Sequence, residues 1–189
     1  MVARVQDLPD PVEPTTAICL LKNLSPSTGT TIELSWTNLE NVKDWLSVCE
    51  GAGFDAVLSD TIETEIWAKF VRLAVISGMT AVTRCPIGVV VNDPDLAAMM
   101  VDALRESFAV ANACGVPLDA SVIPSIMKAN QSIPGEMKSS MLEDLERRRP
   151  LELPFLSGTV VRLGEERGIP TPVHRFITTV LKPFVNGER

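Results

Sequence analysis

The sequence contains one histidine, His174, and four cysteines, Cys19, Cys49, Cys85 and Cys114, no two of which form a Cys-x-x-Cys pair. A zinc site gathers about four N or S ligands in a local cluster, so no metal is expected. The first residues, Met1 to Pro14, carry Asp7, Asp10 and Glu13 and no apolar stretch, so they do not read as a secretory signal. The scattered cysteines then read as reduced thiols of a cytoplasmic protein, and the sequons at Asn23 and Asn130 as chance matches. Positive charge is scarce. With 17 basic residues against 24 acidic ones the net charge is -7, the wrong sign for a nucleic-acid binder, although a local basic pocket, all that a phosphorylated cofactor needs, stays open. The most apolar stretch, Phe70 to Val82, includes Arg72 and falls short of the ~20 residues of a membrane span, so no membrane partner is expected. Internal repeats and low-complexity tracts are missing too.

What is present suits a globular chain with a sizeable core: 46% hydrophobic and 22% charged residues. Two textures divide it near Asp60. Before it, Thr15–Lys22, Thr30–Thr37 and Phe54–Ser59 read as short strands. Between the last two, Val42, Trp45, Leu46 and Cys49 recur at helical spacing. Three strands and one helix leave sheet edges uncovered, so residues 1–60 read as an α/β remnant of a larger domain, or as a segment that must pair with a partner. From residue 61 to 189 the pattern is helical. Asp60 is the expected N-cap of a long helix through Ile66, Phe70, Leu73 and Val75, apolar nearly all the way round and therefore buried. Asp93-Pro94 opens a helix that Gly115 ends. Shorter helices are expected near Ser121–Gln131, Gly135–Arg147, Pro154–Glu166 and Val173–Val185. The fold class is mainly α, a helical bundle.

Gly51-Ala52-Gly53-Phe54-Asp55-Ala56 has the G-x-G-x-x-A form of a dinucleotide-binding fingerprint. That fingerprint works between a strand and a following helix, where phosphate meets a helix N-terminus. Here a helix comes before the glycines and a strand after them, so the segment reads as a helix C-cap.

Two stretches carry more. One is Ile66-Trp67-Ala68-Lys69-Phe70. The other runs from Ser139 to Pro172 and holds Ser-Ser-Met-Leu-Glu-Asp, Arg-Arg-Arg-Pro-Leu-Glu and a final Gly-Ile-Pro-Thr-Pro. In order and spacing they resemble the C-terminal domain of ketopantoate reductases (2-dehydropantoate 2-reductases), over roughly Gly29 to Lys182. That domain is similar to the helical C-terminal domain of 6-phosphogluconate dehydrogenase-like enzymes, so residues 1–60 would be the tail of a Rossmann-type domain.

The resemblance implies an NADPH-dependent reduction of a 2-oxoacid, as in pantothenate biosynthesis. Lys69 holds the position of the catalytic lysine. Glu152 matches the carboxylate that binds a substrate hydroxyl and orients that lysine, and Ser140 matches a substrate-binding serine. Hydride transfer to a ketone builds negative charge on its oxygen, and an ammonium aimed there stabilises the charge and supplies the proton. Lys69, Ser140 and Glu152 are then expected to line one cleft, with the lysine within a water-bridged distance of the glutamate.

The family pattern is not fully kept. Asparagines usual four and eight residues after the lysine are replaced by Leu73 and Ser77, of which Ser77 retains a hydroxyl for substrate. Ile87 follows Cys85-Pro86 where a third asparagine is usual, and His174 stands where an asparagine is common. Each unmet hydrogen-bond partner costs a hydroxylated substrate ~1–3 kcal/mol, which argues against ketopantoate itself. Two readings remain. One is the substrate-binding and dimerisation domain of a reductase lacking its own cofactor domain, which a separate Rossmann domain could complement. The other is a non-catalytic helical dimerisation module. Either implies a homodimer, with helices such as Pro94–Ala113 offering apolar surface.

Overall fold

The computed structural model describes residues 20–22, 42–57 and 59–187. The strand expected at Thr30–Thr37, and most of that at Thr15–Lys22, lie outside these residues. The chain divides into two compact units, up to Ile62 and from Glu63 onward.

In the first unit β1 (Leu20–Lys22) pairs antiparallel with β2 (Asp55–Val57), Leu21 opposite Ala56. The helix α1 (Val42–Gly51) comes before β2. Its end explains the glycine run. Gly53 adopts φ 79°, the Phe54 amide bonds Cys49 O at 2.9 Å, and the Gly53 amide bonds Glu50 O at 2.9 Å. These are the two bonds of a Schellman cap, so the glycines close a helix and do not face a phosphate.

The second unit is a bundle of seven helices: α2 (Ile62–Thr83), α3 (Ile87–Asn92), α4 (Pro94–Ala113), α5 (Val122–Gln131), α6 (Ser140–Glu146), α7 (Ser157–Arg167) and α8 (Pro172–Leu181). A 3₁₀ turn, Lys182–Phe184, follows α8. The punctuation read from the sequence sets both ends of α4, while α6 begins at Ser140 and α7 at Ser157, after the expected Gly135 and Pro154. Asp93 caps α4 by accepting from the Asp95 and Leu96 amides at 3.0 and 2.9 Å. Gly115, at φ 93°, lets Val116 N reach Ala111 O and closes α4 with a second Schellman cap. Asp60 does not cap α2. The helix starts at Ile62, and Ser59 Oγ accepts the Thr61 amide just ahead of it.

Two helices form the frame. α4 packs against α3, α5, α7 and α8, with Met100, Ala103, Leu104, Val110 and Ala111 buried. Much of its apolar surface is buried within its own bundle, while Leu96, Met99, Val101 and Phe108 keep part of theirs exposed. α2 is long and apolar enough to cross a membrane by length and composition, yet every residue from Ala74 to Ala81 is buried in the bundle. Its start is different: Ile66, Lys69 and Leu73 are exposed. The helix therefore runs from the surface into the core.

Neighbouring elements are pinned to α2 by buried polar contacts. Ser157 Oγ donates to Ala74 O at 3.5 Å. Thr80 Oγ1 donates to Ile76 O at 2.7 Å and lies 2.6 Å from Ser139 Oγ. With the threonine proton committed, Ser139 donates to Thr80 and accepts from the Leu142 amide as N-cap of α6. Ser139→Ala is therefore expected to lower stability by about 1–2 kcal/mol, as a lost cap and a lost buried bond. Ser140→Ala, one residue on and exposed, should leave the urea midpoint unchanged. Equal midpoints for the two variants would refute this division.

Candidate functional site

α2 and α5 enclose an open groove of about 420 Å³, a volume within the range of small-molecule sites. Ala68, Lys69, Arg72 and Leu73 line it from α2; Val122, Ser125, Ile126 and Ala129 line it from α5. Lys69 and Leu73 are four residues apart and Lys69 and Arg72 three, the spacings that put side chains on one helix face. Neither cation has an ion-pair partner among the described residues. Among the described residues no acidic side chain lines the groove, so a chain of net charge -7 presents here a groove with two positive charges. Its remaining walls are apolar apart from Ser125.

Of the four residues carried over from the family pattern, Lys69 and Ser77 are on α2; Ser140 and Glu152 are on other elements. Lys69 is in the groove. Ser77 lies two turns on, 4% exposed and within the core. Glu152 is exposed in the turn before α7, its carbonyl accepting the Phe155 and Leu156 amides, and the Ser157 bond sets that turn against α2 at Ala74. Ser140 opens α6 beside Thr80, where Ser139 is bonded. Thr80 is eleven residues beyond Lys69, which returns to the same helix face about 16 Å along the axis. Neither Ser140 nor Glu152 lines the groove, and no hydrogen bond or ion pair joins Lys69 to Glu152 among the described residues.

Arg72 also lines the groove, where the sequence shows only a charge within an apolar run. The available signal was its position three residues after Lys69. Its Nε donates to Asn130 Oδ1 at 3.3 Å, and Asn130, 1% exposed, also places Nδ2 3.8 Å from Met100 Sδ.

His174 belongs to a structural cluster. It is fully buried, with Nε2 2.7 Å from Ser107 Oγ and 3.1 Å from Ala103 O. A carbonyl can only accept, so Nε2 carries the proton; Nδ1 is buried without a partner. Burial pushes its pKa down to about 4. Glu106 accepts the Val173 and His174 amides at 2.8 and 3.0 Å, capping the start of α8. Burial raises its pKa, against the pull of those two bonds. Among the described residues no group of three His, Cys, Asp or Glu is placed to hold a metal.

Residues 61–185 match the family described as ketopantoate reductase PanE/ApbA C terminal. The chain is 34% identical to the 2-dehydropantoate 2-reductase of Archaeoglobus fulgidus over 140 residues, 74% of this chain and 47% of that protein. Among solved structures, a PanE/ApbA family ketopantoate reductase from Ralstonia eutropha superposes with TM-score 0.62 at 32% identity, over 67% of this chain and 42% of that one. A dimeric ketopantoate reductase from Staphylococcus aureus does so with TM-score 0.67 at 24% identity, over 76% and 50%, and shows the same fold. The chain spans about half the length of the curated relatives it matches. From Lys69 in α2 to Gly-Ile-Pro-Thr-Pro ahead of α8, its helical part belongs to the ketopantoate reductase C-terminal domain family.

Proposed function

We propose that this chain is the substrate-binding and dimerisation part of a cytoplasmic, NADPH-dependent oxidoreductase that reduces a 2-oxoacid. The observation that carries this reading is the groove between α2 and α5, which Lys69 and Arg72 line with no acidic side chain beside them in the lining among the described residues. Such a cavity suits an anionic carbonyl compound, and Lys69 is the acid that the family pattern requires. Its ammonium holds a proton for the keto oxygen and stabilises the negative charge that grows there. Ser77, Ser140 and Glu152, which lie outside the groove lining, are proposed as substrate contacts on the family pattern alone. Residues 1–60 stay proposed as the tail of the dinucleotide-binding domain.

The described residues do not fit a dinucleotide: the one glycine run of suitable pattern closes α1. NADPH is assigned as hydride donor by likeness to the family, and the chain's own part is to bind and orient the oxoacid and to hold the proton.

Titration of the 189-residue chain with ketopantoate or a simpler 2-oxoacid, followed by amide NMR shifts, tests the reading. Lys69→Met is expected to weaken binding about tenfold, the loss of one charge-assisted hydrogen bond (~1.4 kcal/mol). Identical affinity in the variant would remove Lys69 from the site, and favour the non-catalytic module.

A homodimer is proposed with it. The large apolar side chains exposed on α8, Phe176 at 49% and Val180 at 40%, are one turn apart and offer a surface for it. Light scattering is expected to give twice the chain mass, and Phe176→Glu to shift it to the chain mass. A single chain mass for the parent protein across a wide concentration range would refute the dimer.

A further inference from the structure

We propose that Arg72 is the carboxylate anchor of the α2–α5 groove, and that the groove selects 2-oxoacids with a branched apolar side chain over hydroxylated or dicarboxylic ones. The inference rests on the reading that the groove takes a 2-oxoacid.

Arg72 is held as an anchor has to be. Its Nε is fixed to Asn130 Oδ1, and Asn130 is itself held inside the bundle beside Met100. One edge of the guanidinium plane is thus tied to a buried amide, and the end of the fork is left for a ligand. Arg105, Arg147, Arg149, Arg162 and Arg175 each pair with an acid, whereas Arg84, Arg148 and Arg167 have no ion pair in exposed positions. Arg72 is partly buried and has no ion-pair partner among the described residues. A half-desolvated cation without a counter-ion is costly, and a carboxylate accepts its paired donors in bidentate geometry. In a 2-oxoacid the carboxylate and the keto oxygen are on adjacent carbons. Two cations about one helical turn (~5.4 Å) apart on long side chains, Arg72 for the carboxylate and Lys69 for the keto oxygen, suit that arrangement.

The rest of the groove defines the side chain. Leu73, 42% exposed, stands with Val122 and Ile126 where a polar substrate would need amide partners. Ser125 supplies the one neutral hydroxyl of the lining. An isobutyl or similar group gains apolar contact there. A hydroxymethyl group loses water without a full set of partners, and a second carboxylate meets no third cation in the lining.

The test uses the 189-residue chain and amide NMR titration with three probes: the 2-oxoacid of leucine, ketopantoate and 2-oxoglutarate. The leucine-derived acid is expected to bind at least fivefold tighter than either of the others and to shift the amides of Leu73 and Ile126. Arg72→Gln should weaken it about tenfold, and Arg72→Lys, which keeps the charge but not the fork, should recover part of that loss. Unchanged affinity in Arg72→Gln, or preference for ketopantoate or 2-oxoglutarate, would overturn this inference and leave the 2-oxoacid reading standing. No shift of any groove amide with all three acids would sink both. Should Arg72→Gln fail to give a dispersed spectrum, the lysine variant and the ranking of the three probes decide.

Discussion

Between pH 6.5 and pH 4 the bundle is expected to lose about 3 kcal/mol of stability through one side chain, His174. Its folded pKa is lowered from 6.5 to about 4, so the unfolded chain takes up the proton first as pH falls. The stabilisation is complete above the unfolded value and disappears as pH falls towards the folded one, at about 1.4 kcal/mol per pKa unit. The cause is geometric: a proton on Nδ1 would put a charge and a donor where no acceptor waits. Glu106 acts in the opposite sense. Its raised pKa makes the folded state hold a proton above 4.5, so its contribution is lost as pH rises, and it offsets part of the histidine effect. Urea midpoints at pH 7 and pH 5 measure the net slope, and His174→Gln should flatten it. An unaltered slope in that variant would refute the assignment.

Replacing Gly88 with alanine is expected to cost about 3 kcal/mol, at the upper end for overpacking. A Cβ at Gly88 would stand 2.7 Å from Gly135 Cα and 2.7 Å from Gly135 O. Those are backbone atoms held by hydrogen bonds of 2.9 Å from Gly88 N to Gly135 O and from Ile87 N to Met137 O, so no rotamer relieves the clash. The gain of up to ~1 kcal/mol in helix propensity is too small to compensate. Gly135→Ala is the control, since a Cβ there meets nothing nearer than 3.7 Å, and it should cost under about 1 kcal/mol. Comparable thermal midpoints for the two variants would show that the contact can relax.

The difference between those glycines also shows where sequence reading stops. Asp93-Pro94, Gly115 and the Gly51–Gly53 run were legible because a cap is a local event, decided by residues within one turn of it. α3 was not. Its Ile-Gly-Val-Val-Val-Asn run is short and β-branched, and the bonds that hold its start come from Gly135 and Met137, far along the chain. For the site, the family pattern singled out Lys69 through a neighbouring tryptophan and a distant serine-methionine run. Arg72 fits no such pattern, and the α5 wall of Val122, Ile126 and Ala129 carries no chemistry-bearing residue. The groove exists only through packing of two helices whose contacts are invisible in one dimension. The apolar face of α4 was legible only in part: periodicity reports that a face is buried, not against what.

α2 behaves as a beam clamped at one end. From Ala74 to Ala81 it is enclosed on every side, and the turn just before, held by buried Val71 and by the Arg72–Asn130 bond, carries both groove cations. Amide hydrogen exchange should therefore be graded along a single helix, slowest in the enclosed half and faster towards Ile62. A ligand reaching Lys69 and Arg72 meets a backbone already fixed by the core, so only side-chain rotamers need ordering on binding. Selectivity then responds to changes at single positions such as Leu73, without reshaping the bundle that holds them.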